Sequence, residues 1–130
     1  MENFILAFSL LLMLAYCKQP EDEVHLSAGN NGQEIEITVQ AEVLISLVAK
    51  PGTGYSWSVA QTDSNKLDQV GESVFTEESE QLGAPAQQVF RFKSKTAGSV
   101  QLKLIYHRAW EKAVAPADSF EVKLNIINRR

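Results

Sequence analysis

Apolar and polar residues alternate along most of the chain beyond residue 33. The clearest run is 33–39 (QEIEITV), in which Ile35, Ile37 and Val39 fall on one face. A period of two with polar outer positions predicts antiparallel strands that are buried on one face. The same alternation recurs at 43–47, 55–59, 90–92, 100–106 and 120–126, and Val74 with Phe75 indicates a further short strand.

Turn-forming residues separate these stretches. They lie at 29–32 (GNNG), 51–52 (PG), 63–65 (DSN), 83–85 (GAP) and 96–98 (TAG). Helical periodicity is absent from any long segment. Seven or eight short strands with this spacing predict an all-β antiparallel sandwich of two sheets.

The N-terminal segment follows a different pattern. Residues 4–16 (FILAFSLLLMLAY) form an apolar run with a single serine, and polar sequence (KQPEDE) begins at residue 18. The run is too short to span a bilayer but fits the apolar part of a signal peptide. Glu2 and the lack of a basic residue before the run are atypical, and a buried N-terminal helix or strand is the alternative. We expect residues 1–16 to be a signal peptide and the chain to be exported.

Cys17 is the only cysteine, so a disulfide within the chain is excluded. Residues 14–17 (LAYC) resemble a bacterial lipobox, in which the cysteine becomes the lipidated first residue of the mature chain. In that case residues 17–23 are a lipidated cysteine with a short tether, and 24–128 form the folded domain of a periplasmic or outer-membrane lipoprotein. Otherwise Cys17 belongs to a cleaved signal peptide and the protein is secreted.

Composition narrows the range of partners. The 130 residues suffice for one domain, and 45% apolar with 22% charged residues is ordinary for a globular protein. The net charge is −4 and no basic cluster is present, so nothing indicates a nucleic-acid partner. We expect a monomer.

Candidate catalytic residues are few. His25 falls in an expected edge strand and His107 alternates outward, and the chain has no Gly-x-Ser-x-Gly motif. Without a nucleophile, base and orienting group in evident proximity, both histidines are interpreted as surface residues. The acidic run Glu77, Glu78 and Glu80 is interpreted as a solvated loop and not as a metal site. We expect a binding module without enzymatic activity, cofactor or metal.

Three loops are candidates for a binding surface, because loops on a rigid scaffold commonly carry function. The first is 50–54 (KPGTG), a stiff turn followed at once by Tyr55 and Trp57. The second is 83–86 (GAPA), and the third is 107–111 (HRAWE). Trp110 in the third loop is either an exposed interface anchor or a residue that folds back to cap the sandwich.

These loops, in this order, resemble the chagasin family of cysteine peptidase inhibitors, which includes amoebiasin-type proteins. The family patterns are Asn-Pro-Thr-Thr-Gly before an aromatic residue and a Trp, then Gly-x-Gly-Gly, then Arg-Pro-Trp or Arg-Pro-Phe. Here they read KPGTGYSW (50–57), LGAPA (82–86) and YHRAW (106–110). The resemblance extends from Val24 to Ile127.

The resemblance implies an immunoglobulin-like β-sandwich that inhibits papain-like peptidases without being cleaved. It implies that the first loop lies over the catalytic cysteine, the second along the non-primed side of the cleft and the third on the primed side. The alternation at 55–59 separately predicts that Trp57 turns into the core. A non-inhibitory module that binds protein or glycan on a cell-envelope lipoprotein is the alternative. The peptidase-binding residues that it implies are Pro51, Gly52, Thr53 and Gly54; Gly83, Ala84, Pro85 and Ala86; and Arg108, Ala109 and Trp110.

Several positions depart from the family pattern. Lys50 and Gly52 stand where the first loop usually has asparagine and threonine, and Ala109 stands beside Trp110 in place of proline. Pro85 and Ala86 replace paired glycines, which removes one N–H and disfavours positive φ. These departures predict looser loops and weaker or redirected inhibition.

Overall fold

Two packed β-sheets make up the part of the chain that the computed structural model describes, residues 22–77 and 85–129. Nine strands lie in these ranges, together with short 3-10 turns at Ala28–Asn30 and Pro51–Thr53, so the prediction of an all-β sandwich is confirmed. The strands are β1 Glu23–Leu26, β2 Glu34–Thr38, β3 Glu42–Ala49, β4 Tyr55–Gln61, β5 Leu67–Gln69, β6 Val74–Glu77, β7 Ala86–Ser94, β8 Gly98–Arg108 and β9 Asp118–Ile127.

The first sheet has the order β1-β3-β7. On the side of β7 away from β3, β5 pairs with residues 92–94 and β6 pairs with residues 86–89. The second sheet has the order β2-β9-β8-β4. The prediction of antiparallel strands is wrong for two pairs: β1 runs parallel to β3, and β2 runs parallel to β9. Alternation identifies the buried face of a strand but not its direction. The turn at 28–32 sends the chain from an edge of one sheet to an edge of the other.

The core lies between the sheets and is built from the inward positions of the long strands. Trp57 is 7% exposed, which confirms that it turns into the core. The alternation predicted from the sequence is confirmed, because every second residue of β7, β8 and β9 is buried along most of its length. The largest fully buried apolar side chains are Phe92, Phe120, Ile45, Leu47, Leu67, Leu102, Leu104, Leu124, Val43, Val100 and Val122.

Strand direction brings the candidate loops to one end of the sandwich. β3 and β8 end there, and β4 and β7 begin there. The opposite end holds Asp22, whose carbonyl accepts from the Glu42 N–H at 2.9 Å and whose carboxylate lies 3.4 Å from Arg129. Because β3 has eight residues, the two ends are about 25 Å apart.

Residues 1–21 lie outside the described part of the chain, and the predictions of a signal peptide and of lipidation at Cys17 fall there. Within the described ranges, no helix is long and apolar enough to cross a membrane.

A buried serine fastens the turn between β2 and β3 to the end of β7. The Ser94 hydroxyl donates to the Thr38 carbonyl at 2.6 Å and accepts from the Ala41 N–H at 2.9 Å. Its own backbone bonds Gln40 and Ala41, and Gln40 holds a positive φ of 71°. The serine thereby supplies polar partners to a turn that is packed against the core.

We predict that Ser94→Ala lowers the free energy of unfolding by about 1–3 kcal/mol, because the Thr38 carbonyl and the Ala41 N–H lose the hydroxyl and keep only their 3.2 Å bond to each other. Urea unfolding followed by tryptophan fluorescence measures the change. Ser99→Ala is the matched control: its hydroxyl donates to Asn125 at the exposed surface, and its loss should change stability by less than about 0.5 kcal/mol. Equal losses in the two variants would contradict this account.

Candidate functional site

The first loop is a closed turn and not an open bend. Pro51–Thr53 forms a single 3-10 turn, in which the Thr53 N–H donates to the Lys50 carbonyl and the Gly54 N–H to the Pro51 carbonyl, both at 3.0 Å. The Thr53 hydroxyl donates to the same Lys50 carbonyl at 2.6 Å. Gly54 ends the turn at a φ of +84°, which residues with a side chain rarely adopt. The threonine therefore braces the loop from within, although Lys50 stands where the family has asparagine.

A column of aromatic rings supports this loop from below. The Tyr55 and Tyr106 rings stack at 5.3 Å between centroids, and the Trp57 ring lies 5.1 Å from Tyr106 on the core side. The Tyr106 hydroxyl accepts from the Lys50 N–H at 3.0 Å, where the loop begins. Tyr55 and Trp57, which follow the loop in sequence, therefore support it. Tyr55 stacks on Tyr106 next to the loop, and Trp57 packs against Tyr106 from the core.

Arg108, the last residue of β8, links the third loop to the first. Its Nε donates to the Thr53 carbonyl at 3.1 Å, and its guanidinium carbon lies 4.4 Å from the centre of the Tyr55 ring. Nη1 bonds Glu111 at 3.0 Å. This hydrogen bond, with weaker Coulombic contributions from Tyr55 and Glu111, raises the pKa of Arg108 above its ordinary value against a smaller effect of desolvation. The arginine remains charged and holds both loops through directed contacts.

Trp110 does not fold back to cap the sandwich. Its side chain is 67% exposed, and its ring rests against the backbone of the first loop at Gly54. A β-carbon added to Gly54 would lie 2.3 Å from the Trp110 Cη2 atom, so only glycine leaves room for this contact. Trp110 and the exposed Thr53 therefore share one end of the molecule.

The second loop is described only at its end. Gly83 and Ala84 lie outside the described residues, and Pro85 is exposed. The assignment of Ala86 to the loop is corrected: it is the first residue of β7, is 2% exposed and pairs with Ala49. Ala86 belongs to β7 because it pairs with Ala49, the last residue of β3. The second loop thus joins the sandwich directly beside the start of the first.

Both histidines lie in strands, and the range 107–111 given to the third loop is corrected, because His107 belongs to β8. His25 is exposed on the edge strand β1, 2.9 Å from Glu23, as its place in the sequence predicted. The His107 Nε2 lies 2.7 Å from the Ser58 hydroxyl, a cross-strand contact that alternation alone did not indicate. Within residues 22–77 and 85–129, no group of three or more His, Cys, Asp or Glu is arranged to hold a metal ion.

Sequence reasoning missed the residues that brace the loops. Glu111 stands three positions after Arg108, a spacing that hinted at their ion pair, and Tyr106 is the last aromatic residue of its strand. Neither feature reveals which loop the side chain reaches. That information comes from the pairing of Tyr55 with Arg108 and of Trp57 with Tyr106 across β4 and β8.

Residues 36–124 match the model of the chagasin family peptidase inhibitor I42. The chain belongs to the chagasin family. The family consists of peptidase inhibitors and not of enzymes, which agrees with the prediction made from the sequence. The matched segment contains all three loops, at 50–54, 83–86 and 107–111.

Known relatives resemble the chain over most of its length. Amoebiasin-2 of Entamoeba histolytica is 29% identical over 121 residues, covering 92% of this chain and 94% of the relative. The crystal structure of the cysteine protease inhibitor EhICP2 of the same organism matches with a TM-score of 0.74 at 21% identity, covering 85% of this chain and 100% of that one. PbICP-C, solved in complex with falcipain-2, matches with a TM-score of 0.55 at 15% identity, covering 82% and 99%.

We predict that Arg108→Met loosens the first loop, because it removes the bond to the Thr53 carbonyl and the charge over Tyr55. Hydrogen exchange at the Thr53 and Gly54 amides should accelerate by roughly fivefold, as expected for the loss of about 1 kcal/mol of local stability. Arg91→Met is the control, because Arg91 pairs with Glu42 on the outer face of the first sheet. Unchanged exchange in Arg108→Met would show that the arginine does not brace the loop.

Proposed function

We propose that this chagasin-family protein inhibits papain-like cysteine peptidases by placing its loop end in the active-site cleft. The first loop covers the catalytic cysteine, the third lies on the primed side and the second lies along the non-primed side. The cysteine protease inhibitor EhICP2 and PbICP-C, which was solved with falcipain-2, support this class of target.

The observation that carries the proposal is the joint exposure of Thr53 and Trp110 at one end of the sandwich. A module that merely used the sandwich as a scaffold would gain stability by burying a tryptophan of this size. Instead, Trp110 is largely exposed, and a charged side chain, Arg108, ties its loop to the carbonyl of Thr53. Exposed tryptophan held in a defined position is typical of a binding hot spot.

The closed turn explains how the loop can occupy a peptidase without being cut. A substrate must lie extended across the catalytic cysteine, whereas residues 51–53 are wound into a turn. Opening that turn breaks the bonds of the Thr53 N–H and hydroxyl to the Lys50 carbonyl. The same bonds fix the loop before binding, so little further conformational entropy is lost on association.

The third loop contributes apolar area beside this turn. One part of the Trp110 ring rests on Gly54 and the remainder faces solvent, where a peptidase surface can cover it. We expect about 800 Å² to be buried on each partner, with affinity concentrated in a few residues. Arg108 contacts Thr53 in the first loop and Glu111 in the third. These contacts restrain the third loop, which has Ala109 where the family pattern has the more rigid proline.

Titration of residues 18–130 against papain and a cathepsin L-type peptidase tests the proposal. This stretch retains every buried apolar residue of the described core, from Leu26 to Ile126. We predict stoichiometric inhibition at nanomolar protein and a weakening of at least about fivefold, or 1 kcal/mol, in Thr53→Ala and in Trp110→Ala. The measured quantity is the inhibition constant obtained from residual peptidase activity.

Two substitutions serve as controls for that titration. Thr96→Ala removes a hydroxyl at the far end of the sandwich, and Ile127→Ala trims an exposed apolar residue at that same far end. Both should leave the inhibition constant within about twofold of the unsubstituted protein. Absence of inhibition at micromolar protein would instead favour the non-inhibitory module that binds protein or glycan.

Export with lipidation at Cys17 is a separate part of the proposal, and it rests on the sequence of residues 4–23. Expression in a bacterium with a lipoprotein pathway should give a membrane-associated protein whose first residue is Cys17 carrying acyl chains. Intact-mass and N-terminal peptide analysis measure the modification. Cys17→Ser should release the protein from the membrane fraction, because a stable anchor needs the acyl chains. A mature chain that starts beyond residue 17 would contradict lipidation and indicate secretion.

A further inference from the structure

A buried glutamine lies between the sheets just below the loop end. Gln88 is the third residue of β7 and is 2% exposed. It occupies an inward position in a row that continues with the buried Phe90 and Phe92, where a side chain without polar atoms would be ordinary. On β3 its partner across the ladder is Leu47.

The amide of Gln88 pairs with both peptide groups of a single residue on the other sheet. Its Oε1 accepts from the Trp57 N–H at 2.8 Å, and its Nε2 donates to the Trp57 carbonyl at 3.0 Å. The second hydrogen of Nε2 is directed to the Ser73 hydroxyl at 2.8 Å. Only a primary amide with this reach supplies one acceptor and two donors in this arrangement.

This contact closes the edge of the second sheet. β4 is the last strand in the order β2-β9-β8-β4 within the described residues, so its outer edge has no neighbouring strand there. The Gln88 amide takes the place of a peptide group from such a strand and satisfies Trp57 where it is buried. The Trp57 side chain makes a second link between the sheets, because its indole N–H donates to the Val48 carbonyl of β3 at 3.0 Å.

These bonds act at the position where the first loop crosses between the sheets. The loop leaves β3 at Ala49 in one sheet and enters β4 at Tyr55 in the other. Its conformation therefore depends on how β4 is held against β3 and β7. Gln88 lies three residues beyond Pro85, where the second loop ends, and Trp57 lies three residues beyond Gly54, where the first loop ends.

We propose that Gln88 is a positioning residue for inhibition, which fixes the first loop relative to the second by holding β4 against β7. It touches no peptidase, because it is buried between the sheets, and it acts through Trp57. The proposal rests on the proposed function and adds a positioning contact outside the three loops. Loss of the contact leaves the loops present but populates arrangements that do not fit the cleft, which lowers the apparent affinity.

The test compares substitutions at Gln88 with the same substitutions at its neighbour. Gln88→Leu preserves most of the volume and removes both bonds to Trp57, whereas Gln88→Glu sets a carboxylate against the Trp57 carbonyl. Gln87→Leu and Gln87→Glu change composition and charge equally at a partly exposed outward position. We expect the inhibition constant against papain to rise about tenfold or more in both Gln88 variants, and to stay within about twofold in both Gln87 variants.

Combination with Thr53→Ala separates positioning from a general loss of stability. If Gln88 acts by placing the first loop, then Thr53→Ala should weaken binding less in the Gln88→Leu background than in the unsubstituted protein. Independent, multiplicative effects of the two substitutions would overturn the proposal. Near-ultraviolet circular dichroism at the assay temperature establishes that each variant is folded.

Hydrogen exchange in the free protein supplies a second readout that does not require a peptidase. We expect the Thr53 and Gly54 amides to exchange about tenfold faster in Gln88→Leu, with no change at the Ser94 amide, which bonds Ala41 at the far end. Equal acceleration at Ser94, or none at the loop, would overturn the proposal. If the unsubstituted protein inhibits neither peptidase, the proposed function fails, and exchange alone decides whether Gln88 positions the loop.

Discussion

The loop end of this protein depends on the Tyr106 ring, which is packed between Tyr55 and Trp57. Each of the three side chains faces inward from β4 or β8, so the column is a product of strand pairing and costs no special backbone geometry. Trp57, at one side of Tyr106, is part of the core. Tyr55, at the other side, has the guanidinium of Arg108 over its ring. The Tyr106 hydroxyl bonds the backbone where the first loop begins. Rigidity that originates in core packing is thereby transmitted to an exposed turn.

The loop end divides the requirements of binding among different residues. The turn at 51–54 is held by its own hydrogen bonds and by Arg108, and it provides shape. Trp110 provides apolar area that is mostly open to solvent. Gly54 makes the two compatible, because its missing side chain leaves space for the indole and its positive φ completes the turn. A substitution at this single position would disturb both requirements together.

The fold could be predicted from the sequence because alternation encodes burial one residue at a time. The inward sets of β3, β7, β8 and β9 were predicted in this way, as was the burial of Trp57. The direction of β1 and β2 could not be predicted, since a period of two is the same for parallel and antiparallel neighbours. The three-residue strand β5 carries too few positions for the pattern to be visible.

The candidate site could be predicted only in outline. Proline, glycine and threonine at 51–54 predicted a stiff turn. Trp110 lies beyond the alternating pattern of its strand, which indicated a loop residue. The contacts that make these loops a unit join residues far apart in sequence, such as Arg108 with Thr53 and Gln88 with Trp57. Such pairs follow from strand register and sheet packing, which single positions do not reveal. Nor did spacing decide the place of Trp110, because a position beyond the strand pattern does not show to which side a side chain turns.

The parallel alignment of β1 with β3 has a consequence for how the protein is presented to its surroundings. Chain direction places Asp22 beside Glu42, at the end of the sandwich that is opposite to Thr53 and Trp110. Residue 22 is therefore separated from the loop end by the length of the sandwich, about 25 Å. Under the proposed lipidation at Cys17, the chain would enter the sandwich at the end that lies away from Thr53 and Trp110, so a change before residue 22 would not alter the surface that binds.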